Sequence, residues 1–263
     1  MQSETQMATL KPAHAAIVLI VILALVAVTH SRNSVWQNEI ILCDDTIRKS
    51  PRKARQYYNR GRAYSLQGKF YPAIEDFNKA IALDPSLCDA YINQGMLFSK
   101  LGWIDKVIIN YDRGIACDPL DYEAYILRGE AFEQAGQPDR AINDYSRAIA
   151  LKPAYDAAYI KRGLARGTIG LLDEALDDFN HAIAIKPDDA EVYVNRGIAF
   201  ALLGKHDSAL KDFNTAIELN QGLAAAYFNR GRLSAKTGNN VEALSDFQKA
   251  CERGSNEGCA ALH

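Results

Sequence analysis

The chain has 263 residues, 48% of them hydrophobic and 24% charged. That balance supports a sizeable core and excludes an intrinsically disordered chain. A formal net charge of -2 and a pI near 6.2, with no basic stripe to offset them, exclude the general attraction to phosphate backbones on which nucleic-acid binders rely.

A tail at 1–12 leads into an uncharged run from Ala15 to Thr29, AAIVLIVILALVAVT. With Ala13, His14 and His30 added, the segment 13–30 approaches the shortest length that crosses a hydrocarbon core of about 30 Å. It is apolar on every face, so it reads as a transmembrane helix or signal anchor, not as an amphipathic core helix. Its one small-x-small exit, Ala27-Val28-Thr29, is a poor cleavage site, which favours an uncleaved single-pass anchor. Glu4 and Lys11 on one side and Arg32 on the other barely bias its orientation.

Past residue 31 the sequence repeats itself. Glycines stand at Gly61, Gly95, Gly129, Gly163, Gly197 and Gly231, a second series runs from Gly68 to Gly238, and prolines run from Pro51 to Pro187, all stepped by 34. Small residues from Ala73 to Ala243 keep the same step, each followed four residues later by an aromatic, from Phe77 to Phe247. This pattern resembles the tetratricopeptide repeat. The resemblance covers six units, at 54–87, 88–121, 122–155, 156–189, 190–223 and 224–257, with a tail at 258–263. It implies an all-α fold, a right-handed superhelix of six antiparallel helix pairs.

The residues give each helix its role. In the YYNRGRAY stretch of the first helix, Gly61 lets the paired helix approach closely. Gly68 then ends the helix in a left-handed cap. Ala73 and Phe77 share one face of the second helix, and Pro85 stops it. Stepping back one period, 31–53 holds a linker and a capping half repeat. There Val35 to Lys49 is a lone second helix that would pack Trp36, Ile40, Cys43 and Ile47 against the first unit.

At the far end Gln221 and Ser255 stand where proline is expected, and Arg253 replaces a core leucine, as a water-exposed terminal unit requires. Cys251 and Cys259 lie eight apart across a Gly-Ser-Asn turn, in a tail similar to the cysteine-linked ends of Sel1-like repeats. A disulfide and a pair of free thiols are both open readings, and the compartment decides between them.

Five arginines, Arg60, Arg128, Arg162, Arg196 and Arg230, are each followed sixteen residues later by an aspartate: Asp76, Asp144, Asp178, Asp212 and Asp246. In the second unit Gln94 and Asn110 replace both partners together. Paired contacts between the two helices of a unit are expected, ionic in five and amide to amide in one. A partly buried charge left alone costs about 3 to 5 kcal/mol, so the charges must vanish together.

Function is expected on the concave groove lined by the first helices. Tyr58, Ile92, Ile126, Ile160, Val194 and Phe228 form an apolar row along it, beside Asn59, Asn93, Asn195 and Asn229. Amides can hold the backbone of an extended peptide of any sequence. Leu127 and Lys161 interrupt that amide ladder. A further row, Arg62, Met96, Glu130, Leu164, Ile198 and Arg232, has no single charge sign and suits a hydrophobic or mixed segment.

No metal-ligand spacing, phosphate-binding loop or nucleophile elbow is present, so no enzyme activity, cofactor, metal or small-molecule substrate is expected. The partner is expected to be a protein or peptide bound by a membrane-anchored scaffold. The stretch after the apolar run, SRNSVWQNEIILCDDTIRKSPRKARQYYNRG, is also similar to the join between membrane helix and repeats in glycosyltransferases of the protein O-mannosyltransferase type. That resemblance implies an accessory or detached arm of such a system, with the repeats on the periplasmic side.

Overall fold

The computed structural model describes residues 39–262. The expected membrane segment at 13–30, with Val35 and Trp36 of the capping helix, lies outside them. Among the described residues no helix is long and apolar enough to cross a membrane.

Fourteen helices and no strand occur among the described residues: α1 (Glu39–Lys49), α2 (Ala54–Leu66), α3 (Phe70–Leu83), α4 (Cys88–Lys100), α5 (Ile104–Cys117), α6 (Tyr122–Gln134), α7 (Pro138–Leu151), α8 (Asp156–Thr168), α9 (Leu172–Ile185), α10 (Ala190–Leu202), α11 (His206–Leu219), α12 (Ala224–Lys236), α13 (Asn240–Glu252) and α14 (Asn256–Ala260). The described residues divide into two compact units, the first ending at Leu97 and the second beginning at Phe98.

The two turns of each repeat follow from local chemistry. After α2, Gly68 takes φ +73°, and Gly102, Gly136, Gly170, Gly204 and Gly238 repeat that left-handed conformation. Only glycine adopts it without cost from a Cβ. After α3, Asp84 is extended at φ -145° and ψ 93°, as the ring of Pro85 demands of the residue before it. Asn220 adopts nearly the same angles, φ -144° and ψ 94°, although Gln221 follows it. The turn therefore survives without proline.

Within the first unit, Tyr58, Ala73, Phe77, Ala80, Ala90 and Leu97 form the core. In the second, one cluster gathers Tyr159, Ala175, Leu176 and Phe179, and another gathers Val194, Ala209, Phe213 and Ala226. Gly61, Gly129, Gly163, Gly197 and Gly231 of the first helices each sit against the aromatic of the partner helix. A Cβ on Gly129 would lie 2.5 Å from Tyr145 Cε1, and one on Gly61 2.9 Å from Phe77 Cε1. Real carbon contacts do not come that close, so the ring and the missing side chain are one packing feature.

At the end of the second unit, Gly254 reverses the chain at φ +89°. Ser255 caps α14 by accepting from Gly258 N at 2.9 Å. Cys251 and Cys259 are joined by a disulfide with Cα atoms 4.6 Å apart. Arg253 does not simply face water as the sequence suggests. Its guanidinium lies 4.5 Å from the Tyr227 ring centroid, and its Nε donates to Gln221 O at 2.6 Å.

Candidate functional site

The spaced arginines organise the scaffold on which any site must sit. Arg60, Arg128, Arg196 and Arg230 each direct Nε and Nη2 onto the two oxygens of the aspartate sixteen residues ahead, at 2.6–2.8 Å. Arg162 reaches Asp178 with Nη2 at 2.6 Å, and Arg166 brings a second cation to the same carboxylate at 2.7 Å. These aspartates are buried. The hydrogen bond to Asp76 raises the pKa of Arg60, and that to Asp246 raises the pKa of Arg230. Burial opposes the charge on Arg128, yet Asp144 and Asp112 outweigh it and the pKa rises.

The third edge of each guanidinium has a partner that the sequence reading missed. Nη1 of Arg60 bonds Asp44 at 2.6 Å, Arg128 bonds Asp112 at 2.7 Å, and Arg162 bonds Ser146 at 2.9 Å. Arg196 bonds Asn180 at 2.7 Å and Arg230 bonds Asn214 at 2.6 Å. Every acceptor lies sixteen residues behind its arginine, on the second helix of the preceding repeat. The planar fork thus clasps three consecutive helices. Gln94 keeps the backward half, donating to Asn78 Oδ1 at 2.8 Å. In the other unit, Asn110 donates to its own helix at Lys106 O, 2.8 Å away. A polar acceptor at 44, 78, 112, 146, 180 and 214 was the available signal.

The apolar row expected to line the groove is partly core. Tyr58 and Ile126 are 6% exposed and Val194 is 5%, with Tyr58 and Val194 packed into the core clusters of their units. These three are corrected from groove contacts to packing residues. Ile92, Ile160 and Phe228 stay half-buried. Of the amides, Asn93 donates to Asp89 O at 2.8 Å and to the Tyr58 hydroxyl of α2 at 3.2 Å, while Asn229 donates to Ala225 O of its own helix at 2.8 Å. Asn59 and Asn195 are half-buried, and neither side chain makes a hydrogen bond among the described residues. At the interruption, Lys161 pairs with Glu130 at 2.6 Å. His181 is structural, stacked on Tyr159 with centroids 5.2 Å apart.

The open part of the first-helix face in the second unit lies one turn further along. Between α8 and α10 a hollow of about 220 Å³ is walled by Leu164, Leu172, Ile198 and Leu202 and floored by Ala175 and Phe179, with Thr168 and Asn195 at its rim. Gly167 helps to open it, since a Cβ there would meet nothing within 4 Å. Leu164 is 42% and Leu202 65% exposed. On the other side of α10 a hollow of about 120 Å³ shares Ile198 and Leu202 and is bordered by Asn229, Arg232 and Lys236. Sequence reasoning flagged Leu164, Ile198 and Arg232 as a mixed row. It missed Leu202 and Lys236, although the row Leu66, Lys100, Gln134, Thr168, Leu202, Lys236 was legible at the same step.

Models of the tetratricopeptide repeat match residues 54–87, 122–155 and 190–223, and a TPR repeat model matches 169–204. The matched segments are similar to tetratricopeptide repeats. Solved structures share the fold. YrrB, described as a TPR protein with an unusual peptide-binding site, is 22% identical with a TM-score of 0.64, covering 74% of this chain and 97% of that one. MamA is 26% identical with a TM-score of 0.58, covering 67% and 95%. A TPR protein from Parabacteroides merdae is 22% identical with a TM-score of 0.60, covering 88% and 92%. No curated protein matches the chain. Neither the repeat models nor these structures carry the expected likeness to membrane glycosyltransferases.

Proposed function

We propose that the chain is an interaction scaffold whose first-helix face, in repeats four to six, binds an extended segment of another protein. The observation that carries this is the hollow between α8 and α10, an apolar depression of about 220 Å³ with exposed Leu164 and Leu202 on its wall. Core-type side chains left open around a preformed hollow are what a peptide anchor fills. The fold shared with YrrB, itself described as having a peptide-binding site, supports the same use. A photoreactive residue at Leu164 is expected to crosslink one discrete partner in cells, and the same residue at exposed Lys211 of α11 is not. Equal crosslinking from both positions would refute the reading.

The scaffold is further proposed to be tethered by segment 13–30, with the repeats on the extracytoplasmic side. The Cys251–Cys259 disulfide supports an oxidising compartment. Lys211→Cys should be labelled on intact cells by a membrane-impermeant maleimide, and protection until lysis would overturn the placement.

A further inference from the structure

The first-helix face of the second unit changes character from one repeat to the next. On α6 it presents Glu123, Glu130 and Glu133, on α8 and α10 Leu164, Ile198 and Leu202, and on α12 Arg232 and Lys236. The acidic end is partly committed, since Glu130 binds Lys161 and Glu133 accepts from the Tyr145 hydroxyl. At the basic end, Arg232 and Lys236 are exposed. Neither forms an ion pair among the described residues, although Arg232 lies 5.7 Å from the Phe228 ring centroid. Both border the second hollow, which meets the first along Ile198 and Leu202.

Resting on the peptide-binding reading, we propose that the occupant is an extended protein segment carrying one bulky aliphatic or aromatic residue and, about three residues away, an acidic side chain. The bulky residue sits in the α8/α10 hollow and the carboxylate meets Arg232 and Lys236. The size of the first hollow fits, since an apolar cavity of about 150 Å³ already takes a benzene ring. The spacing follows from packed helices about 8–10 Å apart and an extended chain advancing about 3.3 Å per residue. Charge complementarity selects the acid. Two cations with no ion-pair partner among the described residues favour it at the α12 end, and the glutamates of α6 repel it from the other. Arg232 can take a carboxylate through two parallel bonds, and Lys236 adds a second charge.

The test titrates full-length protein in phospholipid nanodiscs, methyl-labelled at Ile and Leu, with three synthetic heptapeptides that need no assumed chain direction. One is acetyl-Glu-Ala-Ala-Leu-Ala-Ala-Glu-amide, the second has Lys in place of both Glu, and the third has Ala in place of Leu. The acidic leucine probe is expected to shift the methyls of Leu164, Ile198 and Leu202 and to bind at least about tenfold tighter than the basic one, equivalent to ~1.4 kcal/mol. The alanine probe should leave those methyls unmoved. Arg232→Glu with Lys236→Glu should reverse the charge preference, and Gly167→Leu, which fills the hollow, should abolish the methyl shifts at an unchanged melting temperature. Equal binding of the acidic and basic leucine probes would overturn the carboxylate requirement while leaving the peptide groove intact. Unmoved methyls with both leucine probes would overturn the groove as well.

Discussion

The fork of each repeat arginine sets a test at single positions. Arg196 holds buried Asp212 through Nε and Nη2 and Asn180 through Nη1. Asp212→Ala strands a charge whose side chain is 19% exposed, and should cost about 3 kcal/mol in a urea unfolding titration. The double change Arg196→Gln with Asp212→Asn copies the residues that repeat two carries at 94 and 110, and should cost less than the single change. A single change no worse than the double would show that the pair contributes only packing. The forward partner was legible because both charges disappear together in one repeat. The backward partner was not, because aspartate, serine and asparagine all serve as acceptors and no charge pattern marks them.

Among the elements, α14 is the one whose hold on its neighbour is most local. It has five residues, Asn256–Ala260, far below the length at which a helix is stable alone. It is kept by the Ser255 cap, by contact of Gly258 with Ala250, and by the Cys251–Cys259 bond. Cys259→Ser should release α14, raising amide exchange over 256–260 by about a hundredfold or more while α11 and α12 keep their protection. Unchanged exchange would mean that the cap and the glycine contact suffice. Helix ends were readable wherever a glycine or proline marks them. The role of Arg253 was not, because an arginine lying on Tyr227 looks in sequence like one pointing into water. The apolar row misled for a related reason. An alternating small-and-large pattern fixes which side of a helix is apolar, but not whether the next helix covers it, and at Tyr58, Ile126 and Val194 it does.

Over the whole molecule, the buried phenols make stability fall in alkali. Burial pushes the hydroxyls of Tyr58, Tyr111 and Tyr145 above the usual tyrosine range, and pushes the Cys43 thiol up as well. In each case the fold favours the neutral form, while the unfolded chain ionises at the ordinary value. Stability is therefore full below the unfolded values of about 8.5 for the thiol and about 10 for the phenols, and declines as pH rises above them. The urea midpoint should drop between pH ~8 and pH ~11, and phenolate absorbance should show these tyrosines ionising only as the fold is lost. Normal titration of all 13 tyrosines with the helices intact would contradict this.

The three-helix clasp also bears on how such an array changes length. Each arginine draws on one residue sixteen places behind it and one sixteen ahead, and the two acceptors are chemically different. The rear position accepts aspartate, asparagine or serine in this one chain, whereas the arginines are met in front by aspartate alone. Excising one whole period within the second unit, such as 156–189, removes an arginine with its forward aspartate and moves Ser146 to the place of Asn180 behind Arg196. Every remaining clasp stays supplied. Loss or gain that is not a whole number of periods would put an arginine out of step with its partner ahead or behind, so the linkage makes thirty-four the natural quantum of duplication and deletion.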